Sequence, residues 1–196
     1  MPLKVKTGQS ETPDILQTRD FFKTPRYATE MIIPFIPYDI DIVWECAAGE
    51  GHISKVLKEC GFTVFSSDIH TLYPDTILYN FINDEILPSH ITDKTIIITN
   101  PAFSIKRKFY QKCIKLGLSF ALLIPADYSS WNIDAIRYDG CEKIIPTRRI
   151  NYFTPTDKEG SGAQFHSLWL TRGLGLGKSE TFVELSIDDI KNKKNI

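Results

Sequence analysis

An α/β domain on a mostly parallel sheet is the fold class this sequence predicts, from two observations. Apolar runs with strand-like composition alternate along the chain with segments whose apolar residues recur at helical spacing. The clearest run, Ile96-Ile97-Ile98, is an unbroken apolar block without the polar-apolar alternation of a half-exposed strand, which suits a strand buried on both faces. A chain of 196 residues with 42% hydrophobic content has enough apolar surface for one compact core.

In order, the strand-like runs are "IDIVWECA", "FTVFSSD", "TILYNF", "KTIIITN", "SFALLIP" and "EKIIP". Between them lie "HISKVLKECG", "SIKRKFYQKCIKLG" and "SSWNIDAIRYDG". Helices are predicted there because Ile53, Val56, Leu57 and Cys60, and then Phe109, Cys113 and Leu116, are three or four residues apart. Gly61 and Gly117 stand where those helices should end. Beyond "EKIIP" come two further strand-like runs, "AQFHSLWLTRG" and "ETFVELSI", expected to pair with each other as antiparallel neighbours. The expected organisation is a flexible arm over residues 1–20, a single domain over 21–187 and a charged tail over 188–196. The polar, glycine-containing stretch "TPTDKEGSGAQ" reads as a lid or substrate loop.

Composition removes several classes of function. A net charge of −1 gives no global basic field, so any nucleic-acid contact must be local. Four cysteines without C-x-x-C spacing or clustered histidines argue against a zinc site and for a reducing compartment. No apolar run approaches the roughly 18 residues of a membrane span, and the polar N-terminus does not read as a signal peptide, so a cytoplasmic protein with no metal and no membrane partner is expected. "RGLGLGKS" comes close to a phosphate-binding loop, but its first glycine position is Arg172 and little chain follows. A flexible connection is the better reading.

In an open parallel sheet, ligands bind beyond the carboxyl ends of the strands. Three such junctions are unusual. At "VWECAAGEGH", Glu45 is followed by Ala47, Ala48, Gly49 and Gly51, small residues that let a ligand approach the backbone ahead of a helix N-terminus. Asp68 closes the next strand about 20 residues on, where a carboxylate can accept from ribose hydroxyls. At "TNPAF", Asn100 offers a donor and an acceptor, Pro101 has a carbonyl but no amide hydrogen, and Phe103 can stack on a flat group. Together these suit a planar substrate bearing an exocyclic amine.

"ECAAGEG", Asp68 and "NPAF", in this order, resemble motifs of the S-adenosylmethionine-dependent amino-methyltransferases that carry an Asn-Pro-Pro-Phe/Tyr signature. "FFKTPRYATEMI", with Thr24 and Pro25, resembles the segment preceding the glycine motif in the DNA adenine-N6 group, and "LYNF" resembles its acidic-Phe pair as Asn80-Phe81. The resemblance runs from about Phe21 to about Gly173. It departs at Ala102, where a second proline is usual, and at Asn80, where Asp is usual.

What the resemblance implies is a Rossmann-like methyltransferase fold with a seven-stranded, mostly parallel sheet, helices on both faces and an antiparallel strand near the C-terminus. S-adenosyl-L-methionine would be held by Thr24, Pro25, Glu45, Ala47, Gly49, Gly51, Asp68, Ile69, Asn80 and Phe81. Asn100, Pro101 and Phe103 would be catalytic, stabilising positive charge that develops on the acceptor nitrogen. Read from the residues themselves, two small basic clusters, Lys106, Arg107 and Lys108 and then Arg148 and Arg149, would flank the pocket and touch phosphates of a nucleic acid, and the resemblance favours DNA over RNA. No Pro-Cys pair is present for a cytosine-C5 mechanism. RNA bases and protein glutamine stay open as alternative acceptors, as does a cofactor-binding protein without turnover. With little room for a separate target-recognition domain, the expectation is loose sequence preference, a partner subunit for target recognition, or a substrate that is already single-stranded. Trp169 and Phe165 read as core residues, and His52 as a bystander at the glycine turn.

Overall fold

A computed structural model describes residues 22–153 and 165–192. The expected arm, the glycine-containing loop and the end of the charged tail lie outside the described residues. The chain starts with α1 (Arg26–Glu30) and a 3-10 turn (Ile33–Phe35), then runs through β1 (Ile42–Glu45), α2 (His52–Glu59), β2 (Val64–Asp68) and β3 (Ile77–Leu78). There follow β4 (Thr95–Thr99), a 3-10 turn (Phe103–Ile105), α3 (Lys106–Leu116), β5 (Ser119–Pro125), α4 (Ser130–Tyr138) and β6 (Glu142–Pro146). The last elements are β7 (Ser167–Arg172), β8 (Glu180–Val183) and α5 (Ile187–Asn192).

The strands form one sheet in the order β3-β2-β1-β4-β5-β7-β6-β8. β7 runs antiparallel to both of its neighbours and every other pairing is parallel. The count is eight strands rather than seven, because β8 adds itself outside β6. The expected pairing of the last two strand-like runs is corrected as well: β6 lies between β7 and β8, and β8 pairs in parallel with β6. Strand propensity identifies a strand but carries no information about its neighbour.

Alternation along the strands divides the core into two layers. Val43, Ile96, Ile98, Ala121, Leu123 and Trp169 face α1 and α2, meeting Tyr27, Ala28, Ile53 and Leu57. Trp44, Ile97, Phe120, Leu122 and Leu170 face α3 and α4, meeting Phe109, Cys113 and Ala135. Covering both faces makes Ile96–Ile98 wholly buried, which is why those residues read as an uninterrupted apolar block. α1 is docked from above by Trp169, whose indole N–H donates to Ala28 O at 3.0 Å. Tyr27 Oη accepts from Asn151 N at 2.8 Å. At the other end of α3, Gly117 takes the left-handed conformation (φ 69°) that closes the helix.

Candidate active site

The parallel strands β1, β2 and β4 deliver their carboxyl ends to the same rim, and a cavity of about 550 Å³ opens there. β1 contributes Glu45 and the small residues Ala47, Ala48 and Gly49; β2 contributes Asp68 and Ile69; the turn after β3 contributes Asn80 and Phe81. Asn100 and Ala102 come from the end of β4, and Phe22, Lys23 and Thr24 cross in front of them from the segment before α1.

The glycine loop is fixed by hydrogen bonds from the neighbouring strand end. Asp68 Oδ2 accepts from Gly49 N at 2.9 Å and its Oδ1 from His70 N at 3.0 Å, which ties the β1 and β2 loops together. Gly49 has φ 50°, and a Cβ built on it would meet nothing within 4 Å, so the backbone is bare toward the cavity. Gly51 is glycine for another reason. It caps α2 with φ 78°, and a Cβ there would lie 2.3 Å from the ring of Tyr73.

Glu45 is 2% exposed, and its carboxyl accepts from the Ser54 hydroxyl, which lies 2.7 Å from Ser66 Oγ. Burial pushes its pKa up to about 8, so at neutral pH this acid carries a proton unless a cation arrives beside it. Across the loop, Lys23 Nζ is 3.0 Å from Glu50, and His52 Nε2 is 3.6 Å from the same carboxylate. That ion pair joins the incoming segment to the glycine loop.

Asn100 is held on its donor side. Its Nδ2 donates to Phe22 O and to Thr24 Oγ1, both at 3.0 Å. A backbone carbonyl can only accept, so this pair of bonds also decides which end of the amide is nitrogen. Oδ1 is buried and has no hydrogen-bond partner among the described residues. A buried acceptor without a partner costs free energy, and on a residue that lines a cavity it is a candidate binding group.

Nine of the cofactor-site and catalytic residues read from the sequence line this cavity: Thr24, Glu45, Ala47, Gly49, Asp68, Ile69, Asn80, Phe81 and Asn100. Asn80 has a structural task beside it, since its Oδ1 accepts from Ile82 N at 3.2 Å and Asn83 N at 3.1 Å. Pro25, Gly51, Pro101 and Phe103 do not line the cavity. Of the basic residues, Lys106, Arg107, Arg148 and Arg149 also lie off it. Lys106 is 3.5 Å from Asp127, Arg148 Nε donates to Leu185 O at 2.9 Å, and Arg107 and Arg149 are exposed.

Sequence reasoning passed over Phe22, Lys23 and Glu50, which all line the cavity, whereas Lys108, read with Lys106 and Arg107 as one basic cluster, is the member of that cluster that reaches it. Ile105, Lys108 and Phe109 fall at i, i+3 and i+4, so one helix face presents all three to the cavity while Arg107 turns away. No group of three His, Cys, Asp or Glu that could hold a metal occurs among the described residues. Nor is any helix among them long and apolar enough to cross a membrane.

No protein-family model matches the sequence, and no curated protein matches it either. Solved structures do match. A provisionally assigned RNA methyltransferase from Pyrococcus horikoshii superposes with a TM-score of 0.58 at 15% identity, covering 82% of this chain and 89% of that one. A type I restriction-modification methyltransferase subunit from Streptococcus thermophilus gives 0.58 at 10% identity, with 83% of this chain against 47% of that one. The chain has the Rossmann-like methyltransferase fold. A third structure of this fold, the 23S rRNA methyltransferase ErmE, gives 0.50 at 12% identity over 78% of this chain and 69% of that one. In the methyltransferase fold of this chain, the glycine loop, Asp68 and Asn100 occupy successive carboxyl ends of β1, β2 and β4 around one cavity.

Proposed function

We propose that the chain is an S-adenosylmethionine-dependent methyltransferase acting on an exocyclic amine, with N6 of adenine in DNA as the acceptor. The observation that carries this reading is Asn100, a cavity-lining residue with both donor hydrogens tied back to the segment 22–24 and its buried oxygen without a hydrogen-bond partner among the described residues. An amine with two N–H groups satisfies that oxygen; a hydroxyl or thiol acceptor has a single hydrogen, which it gives up on transfer.

The residues present suit the cofactor. A cavity of about 550 Å³ is within the usual range for a ligand of that size. A bare glycine backbone, the Asp68 carboxylate and the apolar sides of Ile69 and Phe81 match a loop contact, a ribose and an adenine ring. Glu45, buried and protonated while alone, matches a cationic amino group. When bound, the cofactor supplies an electrophilic methyl group on a sulfonium. The chain's own part is to hold the acceptor nitrogen. Asn100 Oδ1 orients the N–H groups and meets the positive charge that grows on nitrogen, an effect worth about 3 kcal/mol in comparable sites.

Adenine in DNA rests on the resemblance of "FFKTPRYATEMI" and "NPAF" to the DNA adenine-N6 group. In a duplex that base must leave the stack to reach the cavity. The exposed Arg107, Arg148 and Arg149 are the proposed phosphate contacts. The test is transfer of tritiated methyl groups to separate pools of duplex DNA, single-stranded DNA, RNA and protein, with Asn100→Ala beside the wild type. Label recovered from DNA as N6-methyladenine, reduced about a hundredfold in the variant, is the expected result. Label in RNA alone would move the acceptor to an RNA base. Cofactor binding with no transfer to any pool would remove the enzymatic reading.

A further inference from the structure

The ring expected to stack on the substrate already has its face covered. Phe103 stacks on Phe22 with centroids 4.7 Å apart and planes inclined by 23°. Phe165 and Tyr152 meet it edge-on at 5.5 Å and 6.0 Å. Rings stacked at this separation are in contact and leave no slot between them for a third. Phe103 accordingly does not border the cavity, whereas Phe22 does, beside Asn100 and Ala102.

Phe22 is only partly buried, and Tyr152 and Phe165 brace it at 5.3 Å and 5.8 Å. Its backbone is held at the same place, since its carbonyl accepts from Asn100 Nδ2 at 3.0 Å. The next residue is bridged to Phe153 by its main chain and to Glu50 by its side chain. One hydrogen bond therefore joins the Phe22 main chain to the amide whose oxygen has no partner among the described residues.

Resting on the amine-methyltransferase reading, the geometry points to Phe22 as the stacking platform for the acceptor ring, with Phe103 as the buttress behind it. A phenyl face accepts any flat heteroaromatic ring, while Asn100 Oδ1 selects those with an N–H in the plane. The substrate class is then a nucleobase amine. The small amide of a glutamine side chain would leave most of the phenyl face wet.

The test compares wild type, Phe22→Ala, Phe22→Trp and Phe103→Leu. Each is saturated with S-adenosylhomocysteine and given single-stranded DNA or RNA oligonucleotides carrying 2-aminopurine, whose fluorescence is quenched by stacking. Steady-state methyl transfer and calorimetry of S-adenosylhomocysteine accompany it. Phe22→Ala is expected to lose quenching and to raise KM for the oligonucleotide about ten- to hundredfold with little change in kcat or in cofactor affinity. Phe22→Trp should restore both, and Phe103→Leu should lose less than Phe22→Ala.

A lower KM in Phe22→Ala would overturn the proposal, because the ring would then be a plug. A greater loss in Phe103→Leu than in Phe22→Ala would overturn it too. Transfer by the wild type without Phe22-dependent quenching would remove the platform and leave the enzyme. Quenching through Phe22 without transfer to any acceptor would keep the platform and remove the enzyme. Neither quenching nor transfer would remove both.

Discussion

Two residues of the glycine loop are under different physical demands, and each gives a measurable outcome. At Gly51, alanine would meet the Tyr73 ring at 2.3 Å while holding φ 78°, so Gly51→Ala combines a steric clash with a left-handed backbone. A loss of about 1–3 kcal/mol from the backbone alone is expected in urea titrations, with Tyr73→Ala relieving the steric part in the double variant. Glu45 acts through protons. Its folded-state pKa, about 8, is above its unfolded value near 4.5, so between those pH values the folded protein holds a proton that the unfolded chain has released. This group's contribution to stability therefore falls as pH rises from about 4.5 to about 8 and is flat above. Thermal unfolding across that window should show Glu45→Gln with a shallower decline than the wild type. An equal slope in both would show that Glu45 is not the group responsible.

Among the elements, α1 shows how much depends on one buried contact. Trp169, in the middle of β7, is fully buried and is the donor to Ala28 O, while Arg26 bridges Glu30 and Glu59 nearer the surface. Trp169→Phe should cost about 1–3 kcal/mol, because the carbonyl it strands stays buried. Arg26→Ala should cost no more than about 1 kcal/mol, as ion pairs near the surface do. Equal losses by denaturant titration would contradict this ranking. The same contrast explains what could be read from the sequence. β4 was legible because Ile96, Ile97 and Ile98 are buried on both faces, and α3 because Phe109, Cys113 and Leu116 keep helical spacing, both local properties. The place of β8 outside β6 was not, since pairing partners are chosen by the assembled sheet. Nor was the pairing of Lys106 with Asp127, or the stacking of Phe22 on Phe103, which join residues far apart in sequence. The carboxyl-end loops carried the candidate site because small residues, an acid and an amide are conspicuous after apolar strands. The side chains that back those loops were hidden among ordinary core residues.

At the scale of the whole molecule, a cofactor that binds only the folded chain must raise its melting temperature. S-adenosylhomocysteine at a hundred times its Kd is expected to add about 2.7 kcal/mol, a shift of several degrees. Asn100→Ala should keep that shift, and Asp68→Ala should lose most of it. The opposite pattern would place the cofactor at the wrong end of the cavity. The sheet order has a consequence for how the protein is made. Sheet contacts for β6 run only through β7 and β8, and both are synthesised after it. Until Arg172 has been added, β5 shows a bare edge and β6 has nothing to pair with. A nascent chain stopped at His166 would carry two open strands and should be captured by chaperones or aggregate, while one extended through β7 closes the gap in a single insertion.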